Sequence, residues 1–417
     1  MYRAEDARRY AGLAINQGIH VQKGQTLLIR AQVDCVEFVR LLTEEAYRAG
    51  ASDVQVFFTD TQVDRLRYQY APQEVLDNPA GWMPQAQADY LEKGGCVISL
   101  TSADPDAFLG LDMGRVGRGL NAAKVAAKPF REQVDKGENQ WLVLGVPSPG
   151  WAQKAFSQDG PERAVEKLWD AIYHTMRLDE ADAAGAWEAH SRTLREQCGK
   201  LNGSGVVSLR LRNALGTDLA LGLVDGPVWE GGSSQTTGGV SFHANMPTEE
   251  VFSAPHRDRV NGTVYSSMPL NYQGTLIEGM RFTFRDGVVV DCDAKTGREA
   301  LDLMLSVDEG SRRLGEVALV PVDSPLAKAG ALIQQAGILF YNTLFDENAS
   351  CHLALGSAYP SCSRGALDLS RQERLARGIN ESVSHVDFMF GTADLSVVGV
   401  RADGSTLQIF ENGQWAF

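Results

Sequence analysis

The stretch from Thr26 to Phe58, TLLIRAQVDCVEFVRLLTEEAYRAGASDVQVFF, decides the fold of the first part of the chain. It opens with a short apolar strand, Thr26 to Ile29, and continues through a helical segment, Val36 to Arg48. Gly50 is expected to close that helix, because glycine readily adopts the left-handed backbone at a helix C-terminus. A second strand, Val54 to Phe58, follows at once. Strand, helix and strand in this order predict a parallel sheet covered by helices.

The same alternation continues on both sides of this stretch. A helical pattern from Ala4 to Asn16 precedes it, and two more apolar strands follow, Cys96 to Leu100 and Trp141 to Val146. After Pro161, apolar residues recur three and four positions apart, which predicts an amphipathic helix. Residues 1–185 are therefore expected to form an α/β N-terminal domain, with a mostly parallel sheet and flanking helices.

Beyond residue 185 the pattern changes to antiparallel strands. Val206 to Leu211 and Leu219 to Leu223 resemble a hairpin, and a second hairpin is centred on Asp286-Gly287, a strong two-residue turn signal. Helical patterns return at Arg298 to Leu305 and in the region of residues 367–377. Residues 186–417 are thus predicted to be an α+β C-terminal domain with an antiparallel sheet.

Composition excludes several classes of partner. The 417 residues include 39 Lys+Arg and 53 Asp+Glu, and the resulting net charge of −14 repels nucleic acids and anionic membranes. The N-terminal ten residues are rich in charge and lack the apolar core of a signal peptide, so a cytoplasmic location is expected. The six cysteines include no Cys-x-x-Cys pair and are expected to be reduced thiols.

Common catalytic motifs are also absent from the sequence. It has no His-Glu-x-x-His, no Gly-x-Ser-x-Gly and no Gly-x-x-x-x-Gly-Lys-Ser/Thr. Glycines 110, 114, 117 and 119 lie in a basic stretch, but their spacing is not that of a dinucleotide-binding loop. An ordinary loop or helix packing is the expected role of these glycines.

Four segments of the C-terminal half place metal-binding residue types in apolar or Gly-rich surroundings: 245–252, 315–320, 345–359 and 384–391. In the first, alternation along an extended chain lets only one of Glu249 and Glu250 face a given site. In the last, His385 and Asp387 project from the same face of a strand. The other candidates in these segments are Glu316, Asp346, Glu347, His352 and Tyr359. The remaining five histidines have no comparable context and are expected to be structural.

Carboxylate and imidazole together are the ligands that zinc, cobalt or manganese recruits. Several carboxylates beside two imidazoles form a negative cluster, which is costly to assemble unless cations neutralise it. Two ions that share a bridging carboxylate and water fit this number of ligands, and such a pair serves amide hydrolysis directly. Residue types alone leave a phosphatase or an amidohydrolase-like site open, and they leave the metal open among zinc, cobalt, manganese and magnesium.

The four segments, in this order, resemble the motifs of the aminopeptidase T and aminopeptidase S family of thermophilic-type metallopeptidases. The matching stretches are NMPTEEVF from Asn245, GEVALV from Gly315, LFDENASCHLALGSAY from Leu344, and His385-Val-Asp387 with the following Gly391-Thr392. The resemblance implies a cytoplasmic, dimeric aminopeptidase of broad specificity, with two co-catalytic metal ions in the C-terminal domain. Carried over by motif, the implied ligands are Glu250, Glu316, His352, His385 and Asp387, with Tyr359 beside them and Glu347 as a further ligand or supporting residue.

The resulting hypothesis is metal-dependent removal of the N-terminal residue from short peptides with a free N-terminus. Glu316 is expected to bridge the two ions, which activate one water. Tyr359 is expected either to donate a hydrogen bond to the tetrahedral oxyanion or to ligate a metal. Two rival hypotheses stay open at this point: a two-metal hydrolase of another amide or a phosphoester, and a metal- or peptide-binding protein without turnover.

Overall fold

The structure, a computed structural model, describes residues 3–324, 326–327 and 340–417. It confirms the predicted fold class, since a parallel sheet with flanking helices occupies the N-terminal part and antiparallel sheets the C-terminal region. The described residues divide into two compact units. The first holds residues 3–191, 233–248 and 340–344, and the second holds residues 192–232, 249–324, 326–327 and 345–417. The predicted domain boundary after residue 185 stays a prediction.

The first unit is built on a five-stranded parallel sheet. Its strands, in spatial order, are Asn245–Met246, Trp141–Gly145, Cys96–Thr101, Thr26–Gln32 and Asp53–Thr59. Four of them were predicted; the two-residue strand Asn245–Met246 was not, because it is too short to show a periodicity. A small antiparallel pair joins Ser234–Gln235 to Ser241–Phe242.

Helices flank this sheet and include those predicted before and after the first strand. The helix Val36–Ala49 ends at Gly50, whose φ of 99° is the left-handed geometry expected there. Helix Met113–Ala126 contains Gly119, where an added Cβ would come 2.8 Å from Tyr68 Cε1, so close helix packing requires the glycine. The other helices of this part of the chain are Ala4–Leu13, Thr61–Tyr70, Gln73–Asp77, Trp82–Glu92, Lys128–Asp135, Pro149–Ala155, Pro161–Thr175 and Ala183–Gly203, the last of which continues into the second unit.

The second unit contains an eight-stranded antiparallel sheet. In spatial order its strands are Val288–Asp293, Arg281–Arg285, Pro255–Tyr265, Asp218–Leu223, Val206–Arg212, Ser396–Arg401, Thr406–Glu411 and Gln414–Trp415. Both predicted hairpins are confirmed. Asp286 and Gly287 have positive φ angles of 47° and 80°, the backbone that a two-residue hairpin turn of this kind requires. Further elements are the strand pair Leu270–Tyr272 and Thr275–Ile277 and the helices Arg298–Leu305, Thr343–Asn348 and Arg371–Ala376.

A second sheet of this unit, here named the site sheet, has five antiparallel strands. In spatial order they are Glu230–Gly231, Val251–Ser253, Leu314–Leu319, His352–Gly356 and His385–Met389. One face of the sheet is apolar except for the buried Ser253, and it packs into the main hydrophobic core of the unit through Val251, Val317, Leu319, Leu353, Leu355, Val386 and Phe388. Burying each such side chain stabilises the fold by about 1.5–3 kcal/mol, so the core fixes which face of each strand points inward.

None of the described helices is both long enough and apolar enough to cross a membrane.

Candidate metal centre

The polar face of the site sheet gathers four of the predicted residues. Glu316 is paired with Ala354, and Ala354 with Asp387, so these three residues share one row across the sheet. His352 is two residues before Ala354 on its strand, and His385 is two residues before Asp387 on the neighbouring strand. Because the strands are antiparallel, the two histidines lie on opposite sides of this row. Because side chains alternate along a strand, all four project from the face opposite the apolar core.

Glu316 stands between the two histidines. Its Oε1 lies 3.6 Å from His352 Nε2, and its Oε2 lies 3.3 Å from His385 Nε2. Glu250, in the extended segment just before the strand Val251–Ser253, brings Oε2 to 3.0 Å from the same nitrogen of His352. Asp387 Oδ1 lies 3.3 Å from His385 Nε2. These contacts form two groups of three candidate ligands, and Glu316 belongs to both.

Hydrogen bonds to backbone carbonyls fix the orientation of the two imidazole rings. His352 Nδ1 is 3.0 Å from the carbonyl oxygen of Ser350, and His385 Nδ1 is 2.7 Å from that of Ser357. A carbonyl only accepts, so Nδ1 carries the proton in both rings and Nε2 faces the carboxylates. Metal-ligating histidines are oriented in this way, with one nitrogen donating to a carbonyl and the other free for the ion.

Electrostatics at the site favour a cation among these groups. Burial alone would lower the pKa of His352 and of His385, yet the adjacent carboxylates outweigh it and raise both pKa values well above the usual 6.5. For Glu316, burial raises the pKa, but the hydrogen-bonding imidazoles prevail and lower it. Without a bound metal, positive charge is therefore supplied by protons on Nε2, the position that a divalent ion takes when it binds.

Glu347 and Asn348 extend the cluster from the helix Thr343–Asn348. Burial, followed by the charges of Asp387 and Glu250, raises the pKa of Glu347 well above its usual range. Asn348 is fully buried; its Oδ1 accepts a 2.8 Å hydrogen bond from the backbone N–H of Glu249, and its Nδ2 lies 3.4 Å from Glu347 Oε1. This amide ties the segment that carries Glu250 to the helix that carries Glu347.

Tyr359 borders the cluster on a turn after the strand His352–Gly356. Its ring centroid lies 5.4 Å from that of His385 and 5.8 Å from that of Phe252. The residue as a whole is 36% exposed. Burial of the phenol within the protein and the nearby carboxylates raise its pKa well above 10, which keeps the hydroxyl a hydrogen-bond donor at neutral pH.

The surroundings of Glu250 also suit a divalent metal ion. Glu250 Oε2 is buried, and its close polar contact among the described residues is His352 Nε2 at 3.0 Å. A buried carboxylate is costly unless its charge is compensated, and a metal ion held together with the imidazole is one way to compensate it. Carboxylate oxygens and imidazole nitrogens are ligands that zinc, cobalt and manganese accept.

The structure differs from the sequence expectation in two places at this site. Glu316, placed by its pattern at the start of a strand, lies inside Leu314–Leu319 and is only 4% exposed. Glu249 and Asp346 are buried as well, but neither belongs to the two groups of three. Sequence reasoning missed Asn348 and Glu230, the latter on the edge strand of the same face; neither lies in a pattern that marks it out.

Known proteins resemble this chain over its whole length. The family profile described as thermophilic metalloprotease (M29) matches residues 3–415. Aminopeptidase AmpS of Bacillus subtilis is 42% identical over 408 residues, 98% of each chain. Aminopeptidase T of Thermus thermophilus is 41% identical over 407 residues, 98% of this chain and 97% of that one. The solved structure of wild-type AmpT from Thermus thermophilus matches with a TM-score of 0.90 and 39% identity, covering 99% of this chain and 100% of its own. The chain therefore belongs to the M29 family of thermophilic metalloproteases.

Proposed function

We propose that this chain, a metal-dependent aminopeptidase, releases the N-terminal residue of short peptides with a pair of divalent ions. The proposed ligands are Glu250, Glu316, Glu347, His352, His385 and Asp387, and Tyr359 is proposed as a neighbouring donor or further ligand. One observation supports a pair of ions: the two oxygens of Glu316 face two different histidines. Each histidine also contacts a second carboxylate, Glu250 for His352 and Asp387 for His385. A carboxylate in that position serves as a bridge between two sites.

Two bound ions supply Lewis-acid polarisation of the peptide carbonyl and a water of lowered pKa. The chain's own residues supply the remaining functions. A carboxylate beside the ions would accept the proton of the attacking water and deliver it to the leaving amine. The Tyr359 hydroxyl stays protonated and can donate to the oxygen that gains negative charge. The carbonyls of Ser350 and Ser357 keep the two imidazoles from turning away.

Metal identity, assembly and location belong to the same proposal. The mixed nitrogen and oxygen donors suit zinc, cobalt or manganese better than magnesium, which prefers oxygen ligands. The acidic sequence supports an enzyme that binds neither nucleic acid nor anionic membranes, and a cytoplasmic location is proposed from the family resemblance. A homodimer is proposed from the family resemblance.

The test is release of free leucine from Leu-Gly-Gly and from its N-acetylated form, after chelation and again after zinc, cobalt or manganese is restored. We expect cleavage of the free-amine peptide alone, and only with metal. Glu411→Gln is a matched control, because it removes a carboxylate from the exposed end of the strand Thr406–Glu411. Cleavage of both peptides, or full activity after chelation, would refute the proposal. A p-nitrophenyl phosphate assay tests the phosphoester alternative, for which no hydrolysis is expected.

A further inference from the structure

Glu230 places an additional carboxylate on the polar face of the site sheet. In the sheet's register it is paired with Phe252, and Phe252 is paired with Ala318, which neighbours His352. Side chains in one row of an antiparallel sheet project from the same face. Glu230 therefore faces the same side as the candidate metal ligands, from the edge strand beyond Phe252.

One oxygen of Glu230 is already held in position. The Ser361 hydroxyl donates a 2.9 Å hydrogen bond to Glu230 Oε2. Ser361 lies in the short turn Pro360–Cys362, directly after Tyr359, whose ring is near His385. This turn thus bridges the face between the metal cluster and Glu230. The backbone on the other side is fixed too, since the Asn202 side chain makes two hydrogen bonds to the backbone of Trp229.

The other oxygen of Glu230 has no cation beside it in the described part of the chain. Among the described residues, Glu230 accepts a side-chain hydrogen bond from Ser361 alone, at Oε2, and no lysine, arginine or histidine forms an ion pair with it. Burial raises the pKa of Glu230, the Ser361 hydrogen bond lowers it in part, and the Glu316 carboxylate raises it again, so the two carboxylates interact electrostatically. A half-buried, oriented carboxylate near other carboxylates is complementary to a positively charged group of a ligand.

We propose that Glu230 binds the α-ammonium group of the substrate and so determines that the first peptide bond is the one cleaved. The proposal rests on the proposed aminopeptidase function and assigns amine recognition to a side chain. The ammonium is two bonds from the carbonyl carbon of the first residue. Glu230 is two strands from the strand of Glu316 on this face, so an ammonium bound at Glu230 would leave the first carbonyl on the side of Glu316 and the histidines. An acetylated amine has neither the charge nor the donors for this contact.

The test compares two hydroxamates, which chelate divalent ions without being cleaved. Leucine hydroxamate carries the α-amine, and 4-methylpentanohydroxamate is the same molecule without it. Dissociation constants are measured by calorimetry on metal-loaded wild type, Glu230→Gln and the control Glu411→Gln. A charge-assisted hydrogen bond is worth about tenfold to a hundredfold in affinity. Glu230→Gln is expected to lose that much of the preference for the amine-bearing ligand, with unchanged metal content and unchanged affinity for 4-methylpentanohydroxamate.

A second variant guards against a folding defect in Glu230→Gln. Ser361→Ala removes the hydrogen bond that orients the carboxylate, and it is expected to reduce the same preference by about twofold to tenfold. Equal weakening of both hydroxamates, loss of metal from Glu230→Gln, or an intact preference in Glu230→Gln would overturn the assignment.

Leucine release from Leu-Gly-Gly by wild type is measured in parallel and separates the two proposals. If the wild type shows a Glu230-dependent preference for the amine but no peptide cleavage, the aminopeptidase function fails and the amine site stands. If it cleaves the peptide while Glu230→Gln keeps the preference, the function stands and the amine site fails.

Discussion

Glu316 belongs to both groups of candidate ligands, so replacing it should affect both of the proposed metal ions, whereas replacing Glu250 should affect one. Glutamine keeps the size of glutamate and removes its charge. Loss of one partner from a buried charged contact costs about 3–5 kcal/mol. At about 1.4 kcal/mol per factor of ten, this corresponds to a weakening of about two to three and a half orders of magnitude for each ion affected.

The assay is metal content per chain after dialysis against a buffered free-metal concentration about tenfold above the wild-type dissociation constant, which nearly fills a wild-type site and leaves a site weakened by two orders of magnitude nearly empty. We expect two ions per chain in the wild type and in Glu411→Gln, one in Glu250→Gln, and neither retained in Glu316→Gln. Circular dichroism verifies that each variant is folded. If Glu316→Gln keeps one ion at wild-type affinity, or if Glu250→Gln loses both, the shared-carboxylate geometry is refuted.

Three further predictions concern protons, positioning and the core. Because nearby carboxylates outweigh burial and raise the pKa values of His352 and His385, metal binding at pH 7 should release protons and weaken as the pH falls; equal binding enthalpies in buffers of different ionisation enthalpy would contradict this. Asn348→Ala should lower metal affinity about tenfold to a hundredfold, because it removes the hydrogen bonds that connect the segment of Glu250 to the helix of Glu347. An unchanged metal-binding titration would exclude that role. Phe388→Ala, on the apolar face of the site sheet, should reduce the free energy of unfolding by about 3–5 kcal/mol in urea titrations, and a loss below 1 kcal/mol would show that this face is not packed as described.

The fold class was predictable because its signals are local. Gly50 has the left-handed backbone expected of a residue that closes a helix, and Asp286-Gly287 forms the expected hairpin turn. Within the parallel strands, residues 27–29 and 141–144 are continuous apolar runs, which are typical of a sheet covered on both faces. The strand Asn245–Met246 escaped prediction because it pairs with Trp141–Gly145, about a hundred residues earlier, and such pairing leaves no mark on two residues.

Only part of the candidate site could be predicted from the sequence. His385 and Asp387 are two residues apart, so their shared face follows from strand geometry alone. That Glu316 stands between His352 and His385 depends on the register of three strands, which no local pattern encodes. Asn348 and Glu230 are ordinary residues in sequence, and they gain significance only from what the fold places beside them.

The two faces of the site sheet make metal binding depend on the core. A slip of one residue in the strand His352–Gly356 would turn His352 into the core and Leu353 toward Glu316, so the site cannot form in any other register. That slip would expose core side chains and lose the free energy of their burial, namely those of Leu353, Leu355, Val386 and Phe388. It would also remove the imidazoles from their contacts with the buried carboxylates. Apolar packing on one face thus supplies the positional precision that the ligands on the other face need. Substitutions in that packing are therefore expected to weaken metal binding before they unfold the chain.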